Sequence, residues 1–296
     1  MRKLLSILAA LSFLQAATAQ EDTVQKKVEY PAGYQAQTDV VYASGMDWSM
    51  KHDIYFNPAA AKPTPVLFNI HGGGWNHGTK ESQSGFSAYF KMGYAVVNVE
   101  YRLTPQATAP AAVEDVRSSL LYIVQHAKSL NIDPNRIVLM GSSAGAHLAL
   151  LAGLLQHDTR FDSSNKNVTR FTIAAIIDKY GITDVWDWAY GKHITSRSAT
   201  NWLGPKAKDR VFASSVSPVA YVAKGSPPVF IAHGDADPTV PYEESVELNR
   251  LLDSAGVKHE FMTIPGGQHG KFSKEQNAEM NRRILAFLQS IPALKN

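Results

Sequence analysis

Short apolar runs alternate with amphipathic stretches along the chain from about residue 40 onward. The runs are rich in Val and Ile and are bounded by turn-forming residues, which is typical of strands buried in a parallel sheet. The stretches between them place apolar residues at helical spacing, as between residues 110 and 130. This alternation predicts an α/β fold in which helices cover both faces of a mostly parallel sheet.

The pattern predicts eight strands, with the first two joined as a hairpin at one edge of the sheet. The strands are predicted over residues 40–42, 52–56, 66–70, 95–99, 136–140, 173–177, 228–232 and 260–263. The main helices are predicted over residues 110–130, 144–155, 242–255 and 275–288, with a further helix around Phe86 to Phe90. The helix over 144–155 is apolar nearly all round, so we expect it to be central to the fold.

Residues 181–226 interrupt this rhythm with three tryptophans, Trp186, Trp188 and Trp202, among scattered Gly and Pro residues. We interpret the segment as an insertion over the functional site rather than as a second domain, because loops on a rigid scaffold often carry function. The tryptophans have two interpretations: they stack on a sugar or aromatic group of a ligand, or they belong to the core.

The N-terminus has the three-part layout of a secretory signal. A basic start, Met1-Arg2-Lys3, precedes an apolar run that ends in Ala17-Thr18-Ala19. We therefore predict that residues 1–19 are a signal peptide, that residues 20–296 form one domain, and that the protein is secreted or periplasmic. The alternative is an uncleaved membrane anchor, but the apolar run is shorter than the roughly 20 residues that span a bilayer.

Composition excludes several other classes of protein. Hydrophobic residues make up 45% of the 296 residues and charged residues 19%, which favours an ordinary globular chain over a disordered one. The net charge of +3 is mild, and no lysine or arginine cluster is long enough to follow a phosphate backbone. We therefore expect no nucleic-acid partner, and the lack of cysteine excludes disulfides and thiolate metal sites.

The segment Gly141-Ser142-Ser143-Ala144-Gly145 lies between a predicted strand and a predicted helix. Small-residue pentapeptides often serve only as tight turns, but this context is that of a nucleophile elbow, which projects a serine hydroxyl from the sheet edge. Flanking glycines permit the turn because a Cβ there would clash with neighbouring backbone. Ser143 is therefore the predicted nucleophile, and the positive end of the following helix would stabilise an anionic oxygen beside it.

A glycine loop, His71-Gly72-Gly73-Gly74-Trp75, directly follows the strand predicted over residues 66–70. Acyl transfer places negative charge on the former carbonyl oxygen, and amides of a loop without side chains can approach that oxygen closely. Gly73, Gly74 and Ala144 are the predicted oxyanion-hole donors. A phosphate-binding loop is the alternative, but no Gly-Lys-Ser/Thr sequence follows.

A serine hydroxyl becomes a strong nucleophile only when a base takes its proton, and the base needs an acid to orient it. We predict His269 as the base because it lies in a glycine-rich loop after the last predicted strand. The loop that follows His233 offers two acids, Asp235 and Asp237, of which we favour Asp237. The other histidines are assigned no catalytic role.

Together these motifs resemble the hormone-sensitive-lipase-like group of α/β-hydrolase carboxylesterases, especially the bacterial acetylxylan and feruloyl esterase branch known as BD-FAE. The resemblance extends over roughly residues 50 to 290 and includes Tyr101-Arg102-Leu103, followed by Asp115. It implies an α/β-hydrolase fold and a serine esterase whose acid is the second aspartate of its segment, Asp237. Tyr101, Arg102 and Asp115 are implied to be scaffold positions.

The resemblance implies that the substrate is a short-chain or aromatic acyl ester of a carbohydrate, such as acetyl or feruloyl xylan, as a small molecule or a polysaccharide. Ser142 and Ala146 differ from the acidic residue and the glycine that many lipase-like relatives have, which weakens a lipase interpretation. We expect an acyl-enzyme mechanism without metal or organic cofactor. The alternatives are an arylformamidase or small peptidase on the same fold, a non-catalytic hydrolase-fold binding protein, and a lipid-surface enzyme.

Overall fold

The computed structural model describes residues 27–162 and 170–295, so the predicted signal peptide lies outside the described residues. One sheet contains the eight strands β1 (Gln35–Ser44), β2 (Ser49–Phe56), β3 (Thr64–Ile70), β4 (Ala95–Val99), β5 (Ile132–Ser142), β6 (Ile173–Lys179), β7 (Val229–Gly234) and β8 (His259–Ile264). Each predicted strand overlaps one of these. The prediction of an eight-stranded sheet is therefore confirmed.

The order of strands across the sheet is β1-β2-β4-β3-β5-β6-β7-β8. β2 pairs antiparallel with both β1 and β4, and every pair from β4 to β8 is parallel. The carboxyl ends of the parallel strands therefore lie along one edge of the sheet. Loops that follow β3, β5, β7 and β8 consequently meet at this edge, which is where ligands bind in open α/β sheets.

Helices cover both faces of the sheet. In the described part of the chain they are α1 (Ser87–Lys91), α2 (Ala111–Gln125), α3 (Ala144–Leu154), α4 (Val185–Tyr190), α5 (Arg197–Leu203), α6 (Arg210–Ser215), α7 (Tyr242–Ser254) and α8 (Lys274–Gln289). Residues of α2, α3 and α7 pack in the apolar core on one face, and residues of α1 and α8 pack in the core on the other. Among the described residues, no helix is long and apolar enough to cross a bilayer.

The predicted insertion at 181–226 contains the short helices α4, α5 and α6. Its apolar side chains, including those of Trp188, Trp202 and Val216, belong to the same core cluster as α2 and α3. The segment therefore packs on the sheet domain as a continuation of its core.

A buried carboxyl group fixes the start of this insertion. Glu244, in the first turn of α7, is 4% exposed. Its Oε2 accepts hydrogen bonds from the backbone N–H groups of Thr183 and Asp184, both at 2.7 Å, and from the Thr183 hydroxyl at 2.6 Å. Burial raises the pKa of Glu244 to about 8, outweighing these hydrogen bonds, which act to lower it. The group therefore holds a proton near neutral pH.

This proton makes the stability of the domain depend on pH. The pKa of Glu244 is higher in the folded protein than in the unfolded chain. The stabilisation that comes from its bound proton is therefore fully present below the unfolded pKa, and it is lost as pH rises through the folded pKa of about 8. Between pH 6 and pH 8 the loss is on the order of 2 kcal/mol. Glu244→Gln cannot titrate, so its unfolding free energy should fall less over this range than that of the unaltered protein. Urea unfolding at several pH values measures this difference, and parallel pH curves for the two proteins would contradict it.

Candidate active site

The turn from β5 into α3 holds Ser143 in a strained conformation. Its φ is +53° and its ψ is −124°, a combination that residues other than glycine rarely adopt. The turn is possible because the residues on either side, Gly141 and Gly145, have no Cβ where neighbouring backbone lies very close. A Cβ on Gly141 would lie 2.3 Å from the Gly145 carbonyl group, and one on Gly145 would lie 2.3 Å from the Ile70 carbonyl oxygen.

The structure brings Ser143, His269 and Asp237 together at the carboxyl edge of the sheet. His269 Nε2 lies 2.9 Å from Ser143 Oγ, and His269 Nδ1 lies 2.7 Å from Asp237 Oδ2. Ser143 follows β5, Asp237 lies in the loop after β7, and His269 lies in the loop after β8. The three side chains therefore have the hydrogen-bond order that nucleophile, base and acid require.

Asp237 is held as a carboxylate by four donors. Its Oδ1 accepts from the backbone N–H groups of Thr239 at 2.7 Å and Val240 at 3.0 Å. Its Oδ2 accepts from His269 and also contacts His233 Nε2 at 3.2 Å. Burial acts to raise the pKa of Asp237, but the hydrogen bonds from His233 and His269 outweigh it and hold the pKa well below its usual range. The acid is thus ionised and can stabilise an imidazolium.

The alternative acid, Asp235, lies elsewhere. It is exposed, and its Oδ1 accepts a hydrogen bond from the Gly266 N–H at 2.7 Å. This contact joins the two loops that carry Asp237 and His269. The structure therefore brings Asp237 to the histidine, whereas Asp235 bridges the loops behind it.

The glycine loop after β3 lies beside the serine. Gly73 and Gly74 line the same cleft as Ser143, with φ values of +114° and +54°. Ala144 is the first residue of α3, so its N–H has no partner within the helix. The 11-residue helix α3 also directs the positive end of its dipole toward the serine. The three predicted oxyanion-hole residues thus flank the serine on two sides.

Three other residues named from the sequence support this loop or its surroundings. The Tyr101 hydroxyl donates a hydrogen bond to the His71 carbonyl at 3.0 Å, where the glycine loop begins. The Arg102 guanidinium donates to Asp115 Oδ2 at 2.8 Å, and its backbone N–H donates to the same oxygen at 2.8 Å. The three side chains therefore hold the segments behind the site and do not contact Ser143.

A cleft of about 910 Å³ opens over the serine. The glycine loop forms one wall, and residues 194–198 of the insertion form the other. The residues that line the cleft include many with polar side chains, Ser82, Gln83, Thr195, Ser196, Arg197, Ser198 and Thr239, together with Tyr180, Trp188, Ile194 and Pro238. The cleft can therefore offer both hydrogen bonds and apolar surface to a bound molecule.

The tryptophans of the insertion have different positions. Trp202 is 1% exposed and stacks on Trp75 at 4.3 Å between ring centroids, so it belongs to the core. Trp188 lines the cleft, although it is largely buried and its indole N–H donates to the Thr239 carbonyl at 2.8 Å. Trp186 packs on Tyr190. Of the three, Trp188 is the one in position to contact a ligand.

Two histidines that sequence reasoning left without a role differ from each other. His147 is fully buried, its Nε2 lies 2.8 Å from the Val216 carbonyl, and burial lowers its pKa to about 4. His77 is exposed and lines the cleft.

His233 is the residue whose place beside Asp237 the sequence did not predict. Its spacing of four residues before Asp237, at the end of β7, was the available signal.

The described residues contain no cluster of three or more His, Asp or Glu side chains that could hold a metal ion. Within these residues, the chemistry available at the cleft is that of a hydroxyl, an imidazole, a carboxylate and a group of amides. That set is suited to nucleophilic attack on an acyl group.

The chain is similar to known esterases and to other α/β-hydrolases. The family model named BD-FAE matches residues 52–252. Esterase LipQ of Mycobacterium tuberculosis is 28% identical over 250 residues, which cover 80% of this chain and 58% of LipQ. The chain thus spans little more than half the length of that relative. An AB hydrolase superfamily protein of Schizosaccharomyces pombe is 35% identical over 251 residues, covering 77% of this chain and 70% of that protein.

A solved structure of a truncated carbohydrate esterase from gut microbiota superposes on the chain with a TM-score of 0.76. The two sequences are 27% identical, and the match covers 88% of this chain and 99% of the other. The sheet order and the helices on both faces are therefore those of the α/β-hydrolase fold, as the sequence predicted.

The glycine loop gives a matched pair of tests. A Cβ on Gly73 would lie 2.0 Å from the His77 carbonyl oxygen, and its φ of +114° excludes an L side chain. A Cβ on Gly74 would meet only side-chain atoms, the nearest being the Ser198 hydroxyl at 3.1 Å, and its φ of +54° lies in the left-handed region, which costs alanine less than the φ of Gly73. We expect Gly73→Ala to lower kcat on p-nitrophenyl acetate about 100-fold and Gly74→Ala less than about tenfold. Equal effects of the two substitutions would contradict the assignment of the loop.

Proposed function

Since the chain belongs to the BD-FAE family of α/β-hydrolases, we propose that it is a carboxylic ester hydrolase whose nucleophile is Ser143. The observation that carries this proposal is the hydrogen-bonded series from Ser143 through His269 to Asp237, with distances of 2.9 and 2.7 Å. A complete series of this kind favours catalysis over a binding role on the same fold.

In the proposed reaction, Ser143 Oγ attacks the ester carbonyl carbon while His269 Nε2 accepts the hydroxyl proton. Asp237 holds the imidazole through Nδ1 and stabilises the imidazolium that forms. The amides of Gly73, Gly74 and Ala144 stabilise the negative carbonyl oxygen of the tetrahedral intermediate.

His269 then gives its proton to the alcohol oxygen as the carbon–oxygen bond breaks, which leaves the acyl group on Ser143. In the second half, water attacks the acyl carbon as His269 takes one of its protons. The tetrahedral intermediate collapses, the carboxylic acid leaves, and the proton returns to Ser143. The residues of this chain supply each proton transfer in both halves.

We further propose that the substrates are short-chain or aromatic acyl esters of carbohydrates, of the acetyl or feruloyl xylan type. The polar side chains in the cleft lining support this proposal, since hydroxyl and amide groups match the hydroxyl groups of a sugar. Trp188 adds an aromatic surface at the same cleft. The structural relative named as a carbohydrate esterase is consistent with it. Export to the periplasm or the exterior remains a prediction based on residues 1–19.

The nucleophile is tested by Ser143→Ala, with the neighbouring Ser142→Ala as its matched control. Removing the hydroxyl should lower turnover of p-nitrophenyl acetate by about four orders of magnitude, because one member of a triad is lost. Labelling by a fluorophosphonate probe should disappear in Ser143→Ala and remain in Ser142→Ala. Undiminished turnover in folded Ser143→Ala protein would refute the assignment.

The substrate class is tested by rates on acetylated xylan, methyl ferulate and p-nitrophenyl esters of increasing acyl length. A buried methylene contributes about 0.8 kcal/mol only where apolar surface covers it, and among the described residues that line this cleft Ile194 is the one Val, Leu or Ile. We therefore expect the highest kcat/KM on acetyl, propionyl or feruloyl groups. A maximum at decanoate, or release of neither acetate from acetylated xylan nor ferulate from methyl ferulate, would contradict the proposed substrate class and favour a lipid substrate or another small ester.

A further inference from the structure

A second histidine, His233, contacts the same oxygen of the proposed catalytic acid as His269. His233 is the fifth residue of β7 and is 0% exposed. Its Nε2 lies 3.2 Å from Asp237 Oδ2, the same oxygen that His269 contacts. Its Nδ1 lies 2.7 Å from the Ser245 hydroxyl on α7. Both ring nitrogens of this buried imidazole are therefore engaged.

The contacts of Nε2 determine where a proton lies on the ring. Besides Asp237 Oδ2, this nitrogen lies 3.2 Å from the Val240 carbonyl oxygen. A carbonyl oxygen only accepts hydrogen bonds, and so does an ionised carboxylate. Nε2 must therefore carry the proton and share it between the two oxygens. The neighbouring Ser245 hydroxyl fixes the other nitrogen and so holds the ring plane in this orientation.

This donation completes the hydrogen bonding of the carboxylate. Oδ1 is anchored by the amides of Thr239 and Val240, whereas among the described residues Oδ2 has only the two imidazoles. Without His233, the contact with His269 would be the one side-chain hydrogen bond that holds Oδ2 among the described residues. Oδ2 would also have one hydrogen-bond donor fewer to stabilise its negative charge.

From this geometry we propose that His233 is a positioning residue, which orients Asp237 Oδ2 toward His269 and limits the charge that this oxygen presents to the imidazolium. The inference rests on the proposed function, because it assigns a partner to the acid of that triad. His233 does not touch the cleft or the substrate. It acts through Asp237, and Ser245 acts through His233.

Other titratable groups surround this pair and bear on its pH dependence. β6 and the turn after it present Asp178 and Tyr180, α7 presents Tyr242, and the loop after β8 presents His269. β8 itself places Thr263, which does not titrate in this range, beside His233. Burial raises the pKa of Asp178 to about 6, with the charge of His233 acting to lower it. Asp178 is therefore the neighbour whose titration has to be separated from that of the triad.

Replacing His233 by glutamine or by asparagine tests the contact of Nε2 with Asp237 separately from the contact of Nδ1 with Ser245. The side-chain nitrogen of glutamine reaches about as far as Nε2, so His233→Gln can still donate to Asp237. The shorter side chain of asparagine reaches only the Nδ1 position, so His233→Asn can keep the contact with Ser245 but loses the donation to Asp237. Both variants remove the same imidazole, and their melting temperatures report any shared loss of packing.

We expect His233→Asn to lower kcat on p-nitrophenyl acetate by tenfold or more at nearly unchanged KM, because a hydrogen bond to a charged group is lost. The acid limb of its kcat/KM profile should move to higher pH. With one donor fewer, the carboxylate attracts the imidazolium proton more strongly, so His269 stays protonated to a higher pH. His233→Gln should recover most of kcat and return the limb toward its original position. The shift should persist when Asp178→Asn is added.

Equal kcat and equal pH profiles for folded His233→Asn and His233→Gln would overturn the inference, as would loss of the shift in the Asp178→Asn background. These failures differ from failure of the proposed function. If Ser143→Ala remains active, the proposed function itself is wrong. If Ser143→Ala is inactive while the two His233 variants are alike, the triad stands and only the role of His233 is rejected.

Discussion

The close approach of α3 to the carboxyl ends of β3 and β5 is the constraint on which the site depends. Gly145 lies so near β3 that any Cβ would overlap the Ile70 carbonyl oxygen, and Gly141 lies equally close to the first turn of α3. This packing forces Ser143 into its strained backbone conformation and directs its hydroxyl away from the sheet. It also brings the amide of Ala144 and the glycine loop after β3 to the same point. The nucleophile and its electrostatic environment thus follow from one contact between backbones.

Two buried carboxyl groups near this edge show how hydrogen bonding decides their charge. Asp237 has donors on both oxygens, two of them imidazoles, and its pKa is held low despite burial. Glu244 has three donors on one oxygen and none in the described structure on the other, and burial raises its pKa. Burial acts to raise the pKa of both groups and is more complete at Glu244, whereas on Asp237 the donors to both oxygens outweigh it. One carboxyl can therefore support a positive charge on His269, and the other serves as a neutral anchor for the insertion.

The sequence predicted best the strands that are buried on both sides of the sheet and the segments that carry a recognisable motif. The strands β3 to β7 each contain a buried, mostly apolar run because both sides of the sheet are covered, and the positions of these runs were predicted within a few residues. β1 is ten residues long but mostly exposed, so its polar residues gave a signal only near Val40 to Tyr42. The contact between His233 and Asp237 was not predictable, because it depends on how the loop after β7 turns back on its own strand. The core position of Trp202 likewise depends on a partner distant in sequence, Trp75.

That stacking also links the two walls of the cleft. Trp75 directly follows Gly74 in the glycine loop, and Trp202 lies on α5, the helix that begins at the cleft wall formed by residues 194–198. His147 of α3 packs edge-on against both rings. A rearrangement of the insertion that displaced Trp202 would therefore be transmitted through Trp75 to the glycine loop that lines the cleft beside Ser143, since close-packed rings cannot move independently. The two walls of the cleft are thus mechanically coupled.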